Sequence, residues 1–126
     1  MPLIRISLNS GKPQSYRRAI ADGVYAALRE TFSVPDKDFF AIVSEHGPDE
    51  FLYDRSYFRI ERSDDFVLVQ LTVSNTRTAQ QKKALYRGIV ERLEKSPGIR
   101  PQDVFINLVE VAKENWSFGN GEAQYA

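Results

Sequence analysis

The chain has 126 residues, 42% of them hydrophobic, enough for one domain with its own core. Seventeen basic residues cancel seventeen acidic ones, which argues against a nucleic-acid surface or an anionic membrane as partner. The lack of cysteine excludes disulfide and thiolate chemistry, a single histidine excludes a His-rich metal site, and no apolar run approaches the ~20 residues that span a bilayer.

The N-terminus carries no charged-then-apolar signal pattern, so a cytoplasmic location is the expectation. The chain opens Met1-Pro2 and runs at once into an alternating strand, Leu3-Ile4-Arg5-Ile6-Ser7-Leu8. A small residue after Met1 favours its removal, which would leave Pro2 as the mature N-terminus. A free N-terminal proline is a secondary amine, both base and nucleophile. An α-amino group ordinarily titrates near ~8, so modest tuning makes it a base or a cationic acid at neutral pH. Many Met-Pro starts have no catalytic meaning, so the rest of the chain has to carry that reading.

Residues 14–31 place Ile20, Val24, Ala27 and Leu28 at helical spacing behind Pro13. Pro35 ends the connection before a second strand, Phe40-Ala41-Ile42-Val43. Gly47-Pro48-Asp49 is a turn, and Phe51-Leu52-Tyr53 with Tyr57-Phe58-Arg59-Ile60 reads as a short hairpin within the connection 47–65. A third strand is expected at 66–73 and a second helix at 79–95, with Leu85, Ile89 and Leu93 on one face. Ser96-Pro97-Gly98 stops that helix before a fourth strand at 104–111. The tail, 112–126, holds Trp116, Phe118 and Tyr125 among glycines. A disordered tail would not carry so many aromatics, so it is expected to fold over its own subunit or a neighbour.

The sequence also repeats itself. A shift of 65 positions carries Ala19 onto Ala84, Gly23 onto Gly88 and Leu28 onto Leu93, and brings the basic pairs of the two helices together. The same shift carries Ile4, Ile6 and Leu8 onto Val69, Leu71 and Val73, and Asp38, Phe40, Val43 and Glu45 onto Asp103, Phe105, Leu108 and Glu110. Each half, about 2–46 and 66–111, reads strand-helix-strand, which favours parallel strands and a right-handed crossover. The expectation is one α/β domain: two β-α-β repeats forming a four-stranded sheet with both helices on one face. The other face, with Leu3, Phe66 and Leu68, is left uncovered and suggests oligomerisation.

Ferredoxin-like binding domains share this element order, so the polar residues around the first strand have to discriminate. These are Pro2, Asp38 in Val34-Pro35-Asp36-Lys37-Asp38-Phe39-Phe40, Arg77 in Ser74-Asn75-Thr76-Arg77-Thr78, and the tail motif Trp116-Ser117-Phe118-Gly119. With these pieces in this order, the whole chain resembles the tautomerase superfamily, most closely its malonate semialdehyde decarboxylase branch. The resemblance implies a cofactor-independent homotrimer acting on a small oxo acid. It implies Pro2 as the catalytic amine, Asp38 as its carboxylate partner, Arg77 as the holder of the substrate carboxylate, and Trp116, Phe118 and Tyr125 as an apolar wall. The branch carries two arginines one residue apart at the second helix. Here Asn75 stands at the first position, which bears on substrate preference.

The chemistry suits these residue types. Loss of CO2 from a 3-oxo acid leaves an electron pair beside a carbonyl, which a cationic proline can polarise or an iminium can accept. A guanidinium fork orients a carboxylate, and an apolar wall favours its loss. Asp38 can orient the proline or activate water in a hydratase side reaction. A neutral proline at the same place removes a proton beside a carbonyl, giving keto–enol tautomerisation of a compound such as phenylpyruvate. A non-catalytic binding module on the same scaffold is the third reading.

Each residue also has a plainer role. Asp38 can brace a turn, as its mate Asp103 suggests. Arg77 can be a solvated helix-start residue, and Trp116 and Phe118 can be packing. His46 reads as a surface or turn residue, and Asp64-Asp65 as a solvated pair. No metal or cofactor is expected.

Overall fold

The computed structural model describes residues 2–126. Met1, whose removal the sequence suggests, lies outside the described residues. The elements follow the expected order: β1 (Leu3–Asn9), α1 (Gln14–Phe32), β2 (Ala41–His46), β3 (Val67–Ser74), α2 (Ala79–Lys95) and β4 (Val104–Val111). Short 3-10 turns at Tyr57–Arg59, Pro101–Asp103 and Lys113–Asn115 punctuate the connections. Among the described residues, no helix is long and apolar enough to cross a membrane.

The sheet runs β2-β1-β3-β4. Each β-α-β unit keeps its own two strands side by side and parallel, with Ile4 opposite Ala41 and Val69 opposite Ile106. The units then meet through an antiparallel β1–β3 pair, with Ile4 opposite Leu71. This unsplit pairing separates the fold from the split β-α-β of ferredoxin-like domains. Two copies joined this way are related by an approximate twofold rotation.

Ile4, Ile6 and Leu8 of β1 and Val67, Val69, Leu71 and Val73 of β3 turn to one side, as the period-two alternation requires. There they bury against Ile20, Val24 and Leu28 of α1 and Leu85, Ile89 and Leu93 of α2. The repeated glycines let the helices approach. A Cβ on Gly23 would stand 3.0 Å from Leu93 Cδ2, and one on Gly88 would stand 3.6 Å from Ala27 Cβ. The opposite sheet face has no helix. It leaves Ile42, Phe105 and Val109 exposed beside a polar ladder in which Gln70 donates to Asn107 at 3.1 Å.

Three expectations need correction. The segment 51–60 forms no hairpin and contains no strand. Phe58 and Arg59 take left-handed backbone angles, φ 63° and 57°. The Arg62 guanidinium takes up the carbonyls of Tyr57 and Ile60 that a second strand would otherwise claim. Phe66 stands on the open-face side of the sheet but is covered, not exposed: Tyr53 stacks on it at 4.2 Å and Phe51 and Phe105 flank it. His46 is not a surface residue. It ends β2 half-buried, its ring 5.3 Å from that of Phe51, and its Nε2 is buried without a hydrogen-bond partner.

Asp103 is fully buried just before β4. It accepts from the Ser63 amide and hydroxyl, both at 2.7 Å, and from Arg100 Nε at 3.1 Å. Burial pushes its carboxyl up, but the Arg100 and Ser63 hydrogen bonds outweigh that and hold it below the usual carboxylate range. A carboxyl depressed in the folded state stabilises the fold above its unfolded value of about 3.9, and that contribution fades as pH falls through the folded value. We therefore expect thermal stability to drop on acidification below about pH 4. Asp103→Asn should flatten that drop and cost about 1.5–3 kcal/mol at neutral pH, read from urea midpoints.

Candidate active site

Pro2 is buried where β1 begins, between two strand ends. On one side, the Ile4 amide donates to the Phe40 carbonyl at 2.9 Å, so the segment leading into β2 runs alongside it. On the other side, Leu3 pairs with Thr72, which brings the end of β3 and the following Ser74-Asn75-Thr76-Arg77 run close. Pro2, Leu3, Phe40, Trp116, Ser117 and Phe118 line a recess of about 210 Å³.

The tail closes this recess by folding on itself. The Trp116 and Phe118 rings stack at 5.6 Å and 14°, and Tyr125 meets Phe118 edge-on at 4.8 Å. The Gln124 side chain fastens the loop, accepting from the Phe118 amide and donating to the Gly119 carbonyl, each at 3.0 Å. The tail is therefore ordered over its own subunit.

Arg77 lies in a neighbouring cavity of about 710 Å³, with Phe32, Ser74, Thr76, Lys113 and Tyr125 among its walls. Its guanidinium donates to the Phe32 carbonyl and to Thr76 Oγ1, both at 2.7 Å, and sits 5.0 Å over the Phe32 ring. It thereby satisfies the last carbonyl of α1 where Ser33, at φ 55°, turns the chain away. A capping box fixes the start of α2 one residue later: Thr78 Oγ1 accepts from the Gln81 amide while Gln81 Oε1 accepts from the Thr78 amide.

The two cavities share a wall. Trp116 faces the proline recess, and its Nε1 donates at 3.1 Å to Ser74 Oγ, which lines the arginine cavity. The fold thus brings Pro2, Trp116 and Phe118 into one recess and Arg77 and Tyr125 into the next. Asp38 is half-buried two residues before Phe40. Asn75 is exposed, lines neither cavity, and donates its backbone N–H to the Val111 carbonyl at 3.0 Å.

Sequence reasoning missed Phe40 as a recess wall and Ser74 and Phe32 as walls of the arginine cavity. Phe40 carried a signal, since it directly precedes a strand that pairs with β1. Ser74 and Phe32 enter through contacts between elements far apart in the chain.

A family model described as tautomerase enzyme matches residues 38–119, and a second model so described matches residues 2–57. The chain belongs to the tautomerase superfamily. It is an enzyme fold throughout, with decarboxylase and tautomerase relatives. A probable tautomerase of Bacillus subtilis, YusQ, is 38% identical over 98% of both chains. A second from the same organism, YrdN, is 34% identical over 99% of this chain and 96% of its own. Among solved structures, a malonate semialdehyde decarboxylase inhibited by 3-bromopropiolate superposes with a TM-score of 0.91 at 37% identity, covering 98% of this chain and 93% of that one. Another malonate semialdehyde decarboxylase, described with decarboxylase and hydratase activities, gives 0.90 at 32% identity, covering 98% and 95%. A fused 4-OT symmetric trimer at 19% identity shares the fold, with a TM-score of 0.80.

Proposed function

We propose that this enzyme decarboxylates a small 3-oxo acid, malonate semialdehyde first among them, with Pro2 as its catalytic amine. The observation that carries the reading is a buried Pro2 in an apolar recess that shares a wall with a guanidinium-bearing cavity. The decarboxylases at 37% and 32% identity support it.

In this reading Met1 is removed and the Pro2 nitrogen is free. Arg77 pairs with the substrate carboxylate, while the aldehyde oxygen points to the cationic proline. The bond between the carboxylate carbon and the methylene carbon breaks, CO2 leaves, and its electron pair passes into an enolate hydrogen-bonded to the proline N–H. The cationic proline or a water then donates a proton to the methylene carbon, giving acetaldehyde. Trp116, Phe118 and Phe40 exclude water and lower the local dielectric, which favours losing a charged carboxylate. Asp38 orients the amine and can activate water for hydration of an unsaturated acid, the hydratase side activity. Tyr125 completes the aromatic wall. Asn75 acts at the mouth, where the branch carries its first arginine.

Keto–enol tautomerisation of phenylpyruvate is the second reading, favoured by the probable tautomerases among the relatives. The uncovered sheet face and the trimeric relatives of the same fold support a homotrimer. The protein should scatter light as a trimer at micromolar concentration, and deletion from Asn115 onward should abolish turnover. The deciding assay follows CO2 release from malonate semialdehyde. Turnover of phenylpyruvate without any CO2 release from the semialdehyde would overturn decarboxylation in favour of the isomerase.

A further inference from the structure

We infer that Ser74 is a positioning residue that fixes the Trp116 ring and thereby sets the size of acid the Pro2 recess accepts; this rests on the oxo-acid reading of that recess. Ser74 ends β3 with 1% of its surface exposed and stands on the open-face side of the strand, in line with Leu68, Gln70 and Thr72. Its hydroxyl accepts the Trp116 Nε1 proton at 3.1 Å. An indole N–H is a donor only, and leaving it unpaired in a partly buried place is costly, so this bond selects one ring orientation. The other restraint on the ring is the stack with Phe118, and that partner is soft. Phe118 and Tyr125 remain 41% and 42% exposed, so the outer aromatic row has room to move.

With the ring held, the recess has about 210 Å³, below the roughly 300–1,000 Å³ of pockets that enclose drug-sized ligands. That suits a three-carbon oxo acid. Phenylpyruvate has twice as many heavy atoms as malonate semialdehyde, so with its oxo group at Pro2 its ring needs space that the fixed indole takes up. One hydroxyl on the shared wall therefore discriminates between the small oxo acid of the decarboxylase reading and the larger one of the tautomerase reading.

Trp116 is the only tryptophan in the chain, so its emission reads the bond directly. Ser74→Ala removes the acceptor with little change in volume, and Ser74→Thr restores a hydroxyl. The experiment measures emission without ligand, and calorimetric Kd for pyruvate and for phenylpyruvate, on wild type and both variants. In Ser74→Ala, emission should move to longer wavelength and the preference for pyruvate over phenylpyruvate should fall on the order of tenfold. Ser74→Thr should keep both near wild type. Unchanged emission in Ser74→Ala, shifted emission with an unmoved Kd ratio, or a threonine variant that behaves like alanine would each overturn the inference. So would a wild type that binds neither acid. Size discrimination in binding without release of CO2 from malonate semialdehyde would leave the Ser74 role standing and remove only the decarboxylase assignment.

Discussion

Blocking the Pro2 nitrogen should lower kcat/KM on the preferred oxo acid by about 10²–10⁴-fold, the range that a positioned acid or base contributes. Two preparations test this: protein carrying a short extension ahead of Pro2, and Pro2→Ala, which keeps an N-terminal amine but makes it primary. The extension removes the free amine outright and adds chain to a recess of about 210 Å³, so its effect should be the larger. Neither change touches the core, since Ile4 is the first of the β1 residues packed into it. The folded fraction should therefore stay constant while activity falls. The pH profile assigns the role: a cationic proline loses activity as pH rises through its own titration, and a neutral base loses it as pH falls. Intact mass showing Met1 retained in fully active protein would end the N-terminal proline mechanism.

The parts of this molecule that are legible in the sequence are those whose cause is local. Alternation at Ile4, Ile6 and Leu8 and helical spacing at Ile20, Val24 and Leu28 report which side each element buries, and the structure buries those residues. The shift that joins Gly23 to Gly88 reports a shared close approach of the two helices. The aromatic run of segment 51–60 has strand propensity, while its conformation is set from outside that window. Arg62 holds its carbonyls, and Tyr53 leaves to stack on Phe66. The burial of His46 has the same kind of cause, since its partner Phe51 belongs to that loop. The site divides in the same way. Pro2 and Arg77 are visible as residue types in context, but the meeting of Pro2 with Trp116 joins opposite ends of the chain. No periodicity encodes that contact, and only the ordered family motifs pointed to it. The Ser74–Trp116 bond carried no sequence signal beyond a polar residue closing an apolar strand.

Arg77→Ala should lower kcat/KM about ten- to a hundredfold on any oxo-acid substrate, because one charge-assisted contact to a carboxylate is worth about 1.5–3 kcal/mol. The guanidinium is already organised for that contact. Of its five N–H donors, one serves the Phe32 carbonyl and one serves Thr76 Oγ1, and the Phe32 ring holds its plane. Arg77 lines a cavity that shares its wall with the proline recess, which leaves its remaining donors for a substrate carboxylate. The anchoring also predicts a second consequence, loss of stability, because the end of α1 loses the donor to its last carbonyl. Arg77→Lys separates the two effects. An ammonium can still cap the Phe32 carbonyl, so stability should largely return, but it offers no bidentate fork, so kcat/KM should recover only in part. Asn75→Arg tests the opposite direction. It restores the arginine spacing of the decarboxylase branch at an exposed position beside Ser74, where the side chain costs nothing in core packing. Decarboxylation should rise, and tautomerisation of phenylpyruvate should rise less. If Arg77→Ala leaves kcat/KM unchanged while the urea midpoint falls, Arg77 is a cap for α1 and the substrate carboxylate is held by another cation, with Lys113 on the same cavity wall the first to test.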